Sequence, residues 1–139
     1  MSQQHIALLT LTAVAAGNIA AARAVGFDSQ QIATQGAKPL GIAQTASSIG
    51  QAFPVITHGT AIAETGAAIN AGAALIADSQ GRVIPSTGNL AVAAGATAVT
   101  SSAANGAILT GGDSPEFVIG DALASATGAG QFIEILLRR

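Results

Sequence analysis

The sequence predicts a mainly β protein of one domain, and three observations support this prediction. Its apolar runs are short, are rich in β-branched residues, and are separated by Gly, Ser, Asn and Pro, which is typical of strands. The segment AFPVITHGTAIAE, residues 52–64, alternates with the strand period of two, which places Ile56, His58, Thr60 and Ile62 on one face. In ALIADSQGRVIP, residues 74–85, two apolar runs flank a turn whose glycine suits a left-handed conformation, which predicts a β-hairpin.

Other strands are expected along the rest of the chain. NIAAARAVGFD, residues 18–28, fits a strand by its alternation, although the helix propensity of alanine leaves a helix open. KPLGIAQ, residues 38–44, and QFIEILLRR, residues 131–139, are predicted strands, the second closing the fold. The tract 88–113, which is uncharged until its last residue, is interpreted as a long surface excursion with one short strand around 96–100.

One phrase occurs twice. KPLGIAQTASSIGQAFPVI begins at Lys38 and FVIGDALASATGAGQFIEI begins at Phe117. When Gly41 is aligned with Gly120, one inserted residue in the second copy brings both Gly-Gln pairs together. The pattern predicts a strand–turn–strand unit used twice. Chance similarity in a chain rich in Ala and Gly is the alternative.

The composition indicates a folded component of an assembly. Only 9% of the residues are charged, 3% are aromatic, and the net charge is −2. An alanine-rich surface with few charges is suited to burial against other subunits. The apolar stretch 6–16 lacks a preceding Lys or Arg, so we expect no signal peptide. Polar residues interrupt the uncharged run 83–112, so we expect no membrane segment.

The residues do not predict catalysis. The single lysine, Lys38, is followed by Pro39, so a phosphate-binding P-loop is absent. His5 and His58 are the only histidines and lack metal-ligand spacing, and the chain has no cysteine. The carboxylates are scattered, no Gly-x-Ser-x-Gly occurs, and five dispersed basic residues form no nucleic-acid stripe. We therefore expect a non-enzyme with no catalytic residue, cofactor or metal, and with no direct nucleic-acid or membrane partner.

Four segments together resemble a known family. They are NIAAARAVGFD, KPLGIAQTA, GQAFPVITHGTAIAETGAAINAGAALIADSQGRVIP and, most specifically, FVIGDALASATGAGQFIEILL. The chain resembles the capsid decoration, or head cement, proteins of tailed bacteriophages from about residue 16 to 137, except for 88–113. The resemblance implies a compact, partly closed β-barrel-like domain of the β-tulip kind over 16–139, preceded by an extended N-terminal arm, residues 1–15.

The resemblance also implies a function. Such proteins are made in the host cytoplasm, sit on the outside of the head, commonly as trimers, and bridge neighbouring major capsid proteins after the shell expands. Two other classes stay open: another virion structural role, such as a head-fibre base or a minor capsid subunit, and a bacterial surface or ice-binding-like β protein. The last lacks the regular Thr-x-Thr array that it would need.

The N-terminal arm is the predicted partner-binding segment. We expect residues 3–14 to add a strand to an exposed sheet edge of the capsid protein, since leucine and threonine alternate there. A disordered terminus, or an ordinary strand of the domain's own sheet, is the alternative. The candidate binding residues are Ile6, Leu8, Leu9, Thr10, Leu11, Thr12 and Val14.

Overall fold

The computed structural model describes residues 4–86, 100–101, 109–110 and 116–137, and these residues form strands joined by turns, without a helix. The mainly β prediction is confirmed. The strands are β1 (Ala7–Val14), β2 (Ala24–Gly26), β3 (Pro39–Ala43), β4 (Ala52–Glu64), β5 (Ala74–Ala77), β6 (Val83–Pro85), β7 (Thr100–Ser101), β8 (Leu109–Thr110), β9 (Gly120–Ala122) and β10 (Phe132–Leu137).

One antiparallel sheet contains all the strands except β7 and β8, which pair with each other. The sheet order is β2-β3-β4-β10-β9-β5-β6, and β1 pairs with β4 outside this order. The 13-residue strand β4 is its centre, because its first part pairs with β1 and β3 and its second part with β10. The sheet is nearly closed into a barrel-like shape.

Most of the predicted strands are confirmed, with two differences. The hairpin β5–β6 forms, and Gly81 has the expected positive φ of 71°. β2 is shorter than predicted because Ala22, at φ 59°, turns the chain before the strand starts. The face predicted for β4 is broken at Gly59, where φ is 98° and the pairing with β1 shifts register. Ile56 is therefore buried, whereas His58, Thr60 and Ile62 are half-buried. Of the strand predicted around 96–100, residues 96–99 lie outside the described residues.

The fold consists of two repeats, a first repeat (residues 10–57) and a second repeat (residues 60–137). The strands β1, β2, β3 and the first part of β4 match the second part of β4, β5, β9 and β10. The registers agree: the pair Val14–Ala52 matches Glu64–Phe132, and the pair Ala43–Val55 matches Ala122–Ile135. The doubled phrase, which covers β3–β4 and β9–β10, is thus a strand–turn–strand unit used twice, as predicted.

The connections between strands are repeated as well. Ile19 exchanges two backbone hydrogen bonds with Ser47, as Ile69 does with Ala126. A second sequence similarity accompanies these repeated connections. The tripeptide Asp-Ser-Gln occurs at 28–30 and again at 78–80, and in each copy the aspartate accepts a hydrogen bond from the glutamine N–H. The doubled phrase is therefore one part of a larger internal duplication that the sequence analysis missed.

Each repeat has its own apolar core. In the first repeat the core is a separate cluster, whereas in the second repeat the matching residues belong to a larger cluster that also receives side chains from β3 and β6. The first cluster comprises Ala15, Ile19, Val25, Ala43, Phe53 and Val55, and the matching residues of the second repeat include Ile69, Leu75, Ala122, Ile133 and Ile135. β1 contributes only the half-buried Ala13 to either core. Its other side chains are consequently available at the surface.

Candidate interaction surface on strand β1

Most side chains of strand β1 are exposed in the part of the chain that the structure describes. Seven of its eight residues are exposed, and Ala13 is half-buried. Leu8 and Val14 expose 78% and 60% of their surface, and Ile6, just before the strand, exposes 57%. The residues predicted to bind a partner all lie along this strand or just before it, with successive side chains on opposite faces: Ile6, Leu8, Leu9, Thr10, Leu11, Thr12 and Val14.

The strand is nevertheless held firmly to the domain. It pairs along β4 from Ala7 to Val14 with a register shift near Leu9. Before the strand, the Ile6 N–H donates to the Thr60 hydroxyl (2.8 Å), and the Thr60 N–H donates to the Ile6 carbonyl (2.9 Å). The predicted arm therefore includes a strand of the domain's own sheet, which was the alternative that the sequence left open. Binding of a partner would use its other edge.

Among the described strands, none pairs with the second edge of β1. The Ala15 N–H donates to the Gln51 carbonyl (2.9 Å), so it faces β4. Because alternate N–H groups of a strand point to opposite edges, the Val14 N–H points away from β4. Among the described residues, no hydrogen bond to this N–H is found. A free edge that carries exposed leucines is a feature that soluble proteins avoid unless it is used for pairing.

One further apolar residue belongs to this surface, and the sequence analysis missed it. Ile49 exposes 70% of its surface. It lies in the turn that ends at Gln51, where the Gly50 N–H donates to the Ala15 carbonyl (2.7 Å), so it sits at the C-terminal end of β1. An isoleucine between serines and a glycine is the only signal that could have indicated it. We define the β1 surface as residues 6–14 together with Ile49.

The β1 surface carries no charged side chain. The first Asp, Glu, Lys or Arg of the chain is Arg23, and His5 is bound through its ring nitrogen to the Gln44 amide at 2.7 Å. An uncharged, apolar surface is suited to burial against a protein and is poorly suited to phosphate or metal ligands. This surface is therefore suited to association with another protein.

Several charged groups elsewhere are engaged within the fold. Arg23 of the first repeat forms an ion pair with Glu64 of the second (2.7 Å), and Arg82 forms one with Asp78 (2.8 Å). Lys38 lies 5.7 Å and 5.8 Å from the ring centres of Phe27 and Phe117, in cation–π range. In the described part of the chain, no cluster of three His, Cys, Asp or Glu residues could hold a metal ion. The described residues also include no helix that could cross a membrane.

Comparisons with known proteins agree with an assembly role. The family model described as phage cement protein matches residues 2–138, so the match includes both repeats and the β1 surface. Among solved structures, the head fiber gp8.5 N base of bacteriophage phi29 is similar, with a TM-score of 0.59 and 20% sequence identity. The likeness covers 94% of this chain and 93% of that chain, and it concerns the fold. No curated protein sequence matches the chain.

Proposed function

The chain belongs to the phage cement protein family, and from this premise we propose that it decorates the outside of a tailed-phage head and stabilises the expanded capsid by bridging neighbouring major capsid proteins. It is a structural protein of the phage virion. The observation that supports the finer proposal is the β1 surface, an uncharged strand with exposed leucines and an edge with which no described strand pairs. The bridging requires binding and no catalysis, cofactor or nucleic acid.

Binding at the β1 surface would combine two contributions. The free edge can add to an exposed strand of the capsid protein, and each main-chain hydrogen bond contributes a net of about 0.5–1.5 kcal/mol. The side chains of Leu8, Leu9 and Leu11 add apolar contacts, since fully burying a leucine is worth about 1.5–3 kcal/mol. Binding stabilises the expanded shell only if the capsid edge is available in that state and not before expansion.

Several weak contacts would act together. We propose that the protein functions as a homotrimer, so that three β1 surfaces engage three capsid proteins at once. Linking binding sites in this way raises the overall affinity by about 10²–10⁴-fold without any new contact. A small, weakly charged domain can in this way hold neighbouring capsid subunits in place.

The test is binding to purified, expanded heads that lack the protein. Leu11 and Leu136 each expose 41% of their surface, but Leu11 lies on β1 and Leu136 on β10. We expect Leu11→Ser to weaken head binding at least 10-fold in a co-sedimentation assay, and Leu136→Ser to leave it unchanged. Thermal melting confirms that both variants fold. Wild-type binding by the Leu11→Ser variant would contradict the role of β1.

A head-fibre base is the second candidate, and the likeness to the phi29 head fibre base favours it. A fibre base would anchor an appendage on the head, whereas a cement protein would cover the shell and raise its resistance to disruption. Negative-stain images and heat resistance of particles with and without the protein distinguish the two. Projections that disappear without any loss of shell stability would favour the fibre base.

A further inference from the structure

We propose that copies of this protein associate head to tail, with the C-terminal end of β1 of one copy docking on the turn at residues 71–73 of the next. This inference rests on the proposed function in that it names the surface that builds the proposed oligomer. It follows from the internal duplication. The turn at residues 21–23 contacts Glu64, but the equivalent turn at residues 71–73 does not contact Val14, the residue equivalent to Glu64.

Within one chain, the first repeat contacts the second repeat at Glu64, and we use this contact as the model for the contact between copies. The Glu64 N–H donates to the Ala22 carbonyl (2.9 Å), and the Arg23 guanidinium forms an ion pair with the Glu64 carboxylate (2.7 Å). The turn at residues 21–23 therefore closes on the end of the strand segment 60–64. Ala61 and Ala63, within that segment, are fully buried.

Both residues of this contact, Ala22 and Glu64, have an equivalent residue in the other repeat. Ala22 matches Gly72, because the Ala22 N–H donates to Ala43 (2.8 Å) as the Gly72 N–H donates to Ala122 (2.7 Å), and both residues have positive φ. Glu64 matches Val14 in the register of their strands. The Glu64 N–H points away from β10, just as the Val14 N–H points away from β4.

The counterparts do not meet within one chain. Among the described residues, neither the Val14 N–H nor the Gly72 carbonyl has a hydrogen bond. Val14 is 60% exposed, and nothing lies within 4 Å of the position that a Cβ at Gly72 would occupy. Among the described residues, nothing covers the donor end at Val14 or the acceptor turn at Gly72, and neighbouring copies can satisfy these two matching ends.

The chemistry of the open pair favours self-association. Where the internal contact has the pair Arg23 and Glu64, the counterpart positions hold Ala73, which is half-buried against the core, and Val14. Ile49 lies in the turn at the C-terminal end of β1. An apolar contact of this kind needs no ionic complement on the partner. Because the two surfaces differ, the contact is head to tail, and it closes into a ring when the rotation between copies permits. The remainder of the β1 surface, residues 6–11, stays available for the capsid.

The internal ion pair supplies the design of the test. Val14→Glu and Ala73→Arg each place one unpaired charge in the proposed interface, whereas the double variant recreates the Arg23–Glu64 arrangement between copies. We expect wild-type full-length protein to be oligomeric by size-exclusion chromatography with light scattering. We expect each single variant to dissociate at least 10-fold more readily, and the double variant to recover most of the association. Val118→Glu, at a residue 39% exposed elsewhere, is the matched control and should remain oligomeric.

The outcomes separate this inference from the proposed function. A wild-type protein that is monomeric at every concentration, or single variants that associate as the wild type does, would overturn the interface. Unfolding is checked by thermal melting, and the two single variants lie on different elements, so one misfolded variant leaves the other informative. Wild-type oligomers that respond to the variants as expected but do not bind heads would overturn the proposed function and leave the interface intact.

Discussion

Gly41 and Gly120 occupy the same position in the two repeats, and each lies directly against a backbone carbonyl of the adjacent strand. The carbonyl belongs to Ile56 for Gly41 and to Leu136 for Gly120. A Cβ atom on either glycine would overlap that oxygen. The two glycines therefore permit β3 and β9 to pack closely on β4 and β10, which is the arrangement that both repeats share.

We expect Gly41→Ala and Gly120→Ala each to lower the free energy of unfolding by about 2–4 kcal/mol, because the strands must move apart to admit a methyl group. Urea denaturation measures this change. Gly128→Ala is the control: nothing lies within 4 Å of its Cβ position and its φ is not positive, so we expect a change within about 0.5 kcal/mol. Equal stabilities for the Gly41 and Gly128 variants would contradict the close packing.

The strands that sequence patterns predicted are those with local periodicity and clear turns, such as β4 and the hairpin β5–β6. β2 was predicted too long because Ala22 adopts a positive φ that nothing about an alanine indicates. The first half of the duplication was missed because its identities are scattered, and only the tripeptide Asp-Ser-Gln at 28–30 and 78–80 is contiguous. The backbone hydrogen bonds of Ile19 and Ile69 make the match between the two segments evident.

Ser29 has a φ of 58°, a conformation that costs a non-glycine residue about 1 kcal/mol. We expect Ser29→Gly to raise the free energy of unfolding by about 0.5–1 kcal/mol, because the relief of strain exceeds the entropy that glycine adds to the unfolded chain. Its counterpart Ser79 does not have a positive φ, since Gly81 supplies the left-handed residue of that turn. Ser79→Gly should therefore be neutral or destabilising. Thermal melting of the pair provides the comparison, and a less stable Ser29→Gly variant would contradict the prediction.

The residues of the β1 surface were predicted from alternation and lack of charge, but their pairing was not. The register of β1 on β4 depends on contacts between residues far apart in the chain, such as Ile6 with Thr60, which no local pattern encodes. Ile49 was missed because a single apolar residue in a polar turn has no periodicity. The open turn at Gly72 became visible only by comparison with Ala22.

Asp28 and Asp78 occupy equivalent positions in the two repeats but accept different numbers of hydrogen bonds. Asp78 is 7% exposed and accepts hydrogen bonds from the backbone of Gln80 and from both the backbone and the side chain of Arg82. Asp28 is exposed and accepts one from Gln30 (3.1 Å). We expect Asp78→Ala to cost about 2–4 kcal/mol, because it leaves the Arg82 guanidinium and two N–H groups without their acceptor. Asp28→Ala should cost less than about 1 kcal/mol. Urea denaturation measures both losses of unfolding free energy. Equal losses for the two variants would contradict a larger stabilising role for Asp78.

Thr65 is fully buried and forms hydrogen bonds with the turn that precedes β10. Its hydroxyl donates to the Gly128 carbonyl (2.7 Å) and accepts from the Gln131 N–H (3.1 Å). We expect Thr65→Val to lower the free energy of unfolding by about 1–3 kcal/mol, since the shape is kept while two polar groups lose their partner. Thr65→Ser keeps the hydroxyl and loses one methyl group, for which about 1 kcal/mol is expected. A valine variant more stable than the serine variant in urea denaturation would show that packing, and not this hydroxyl, holds the turn before β10.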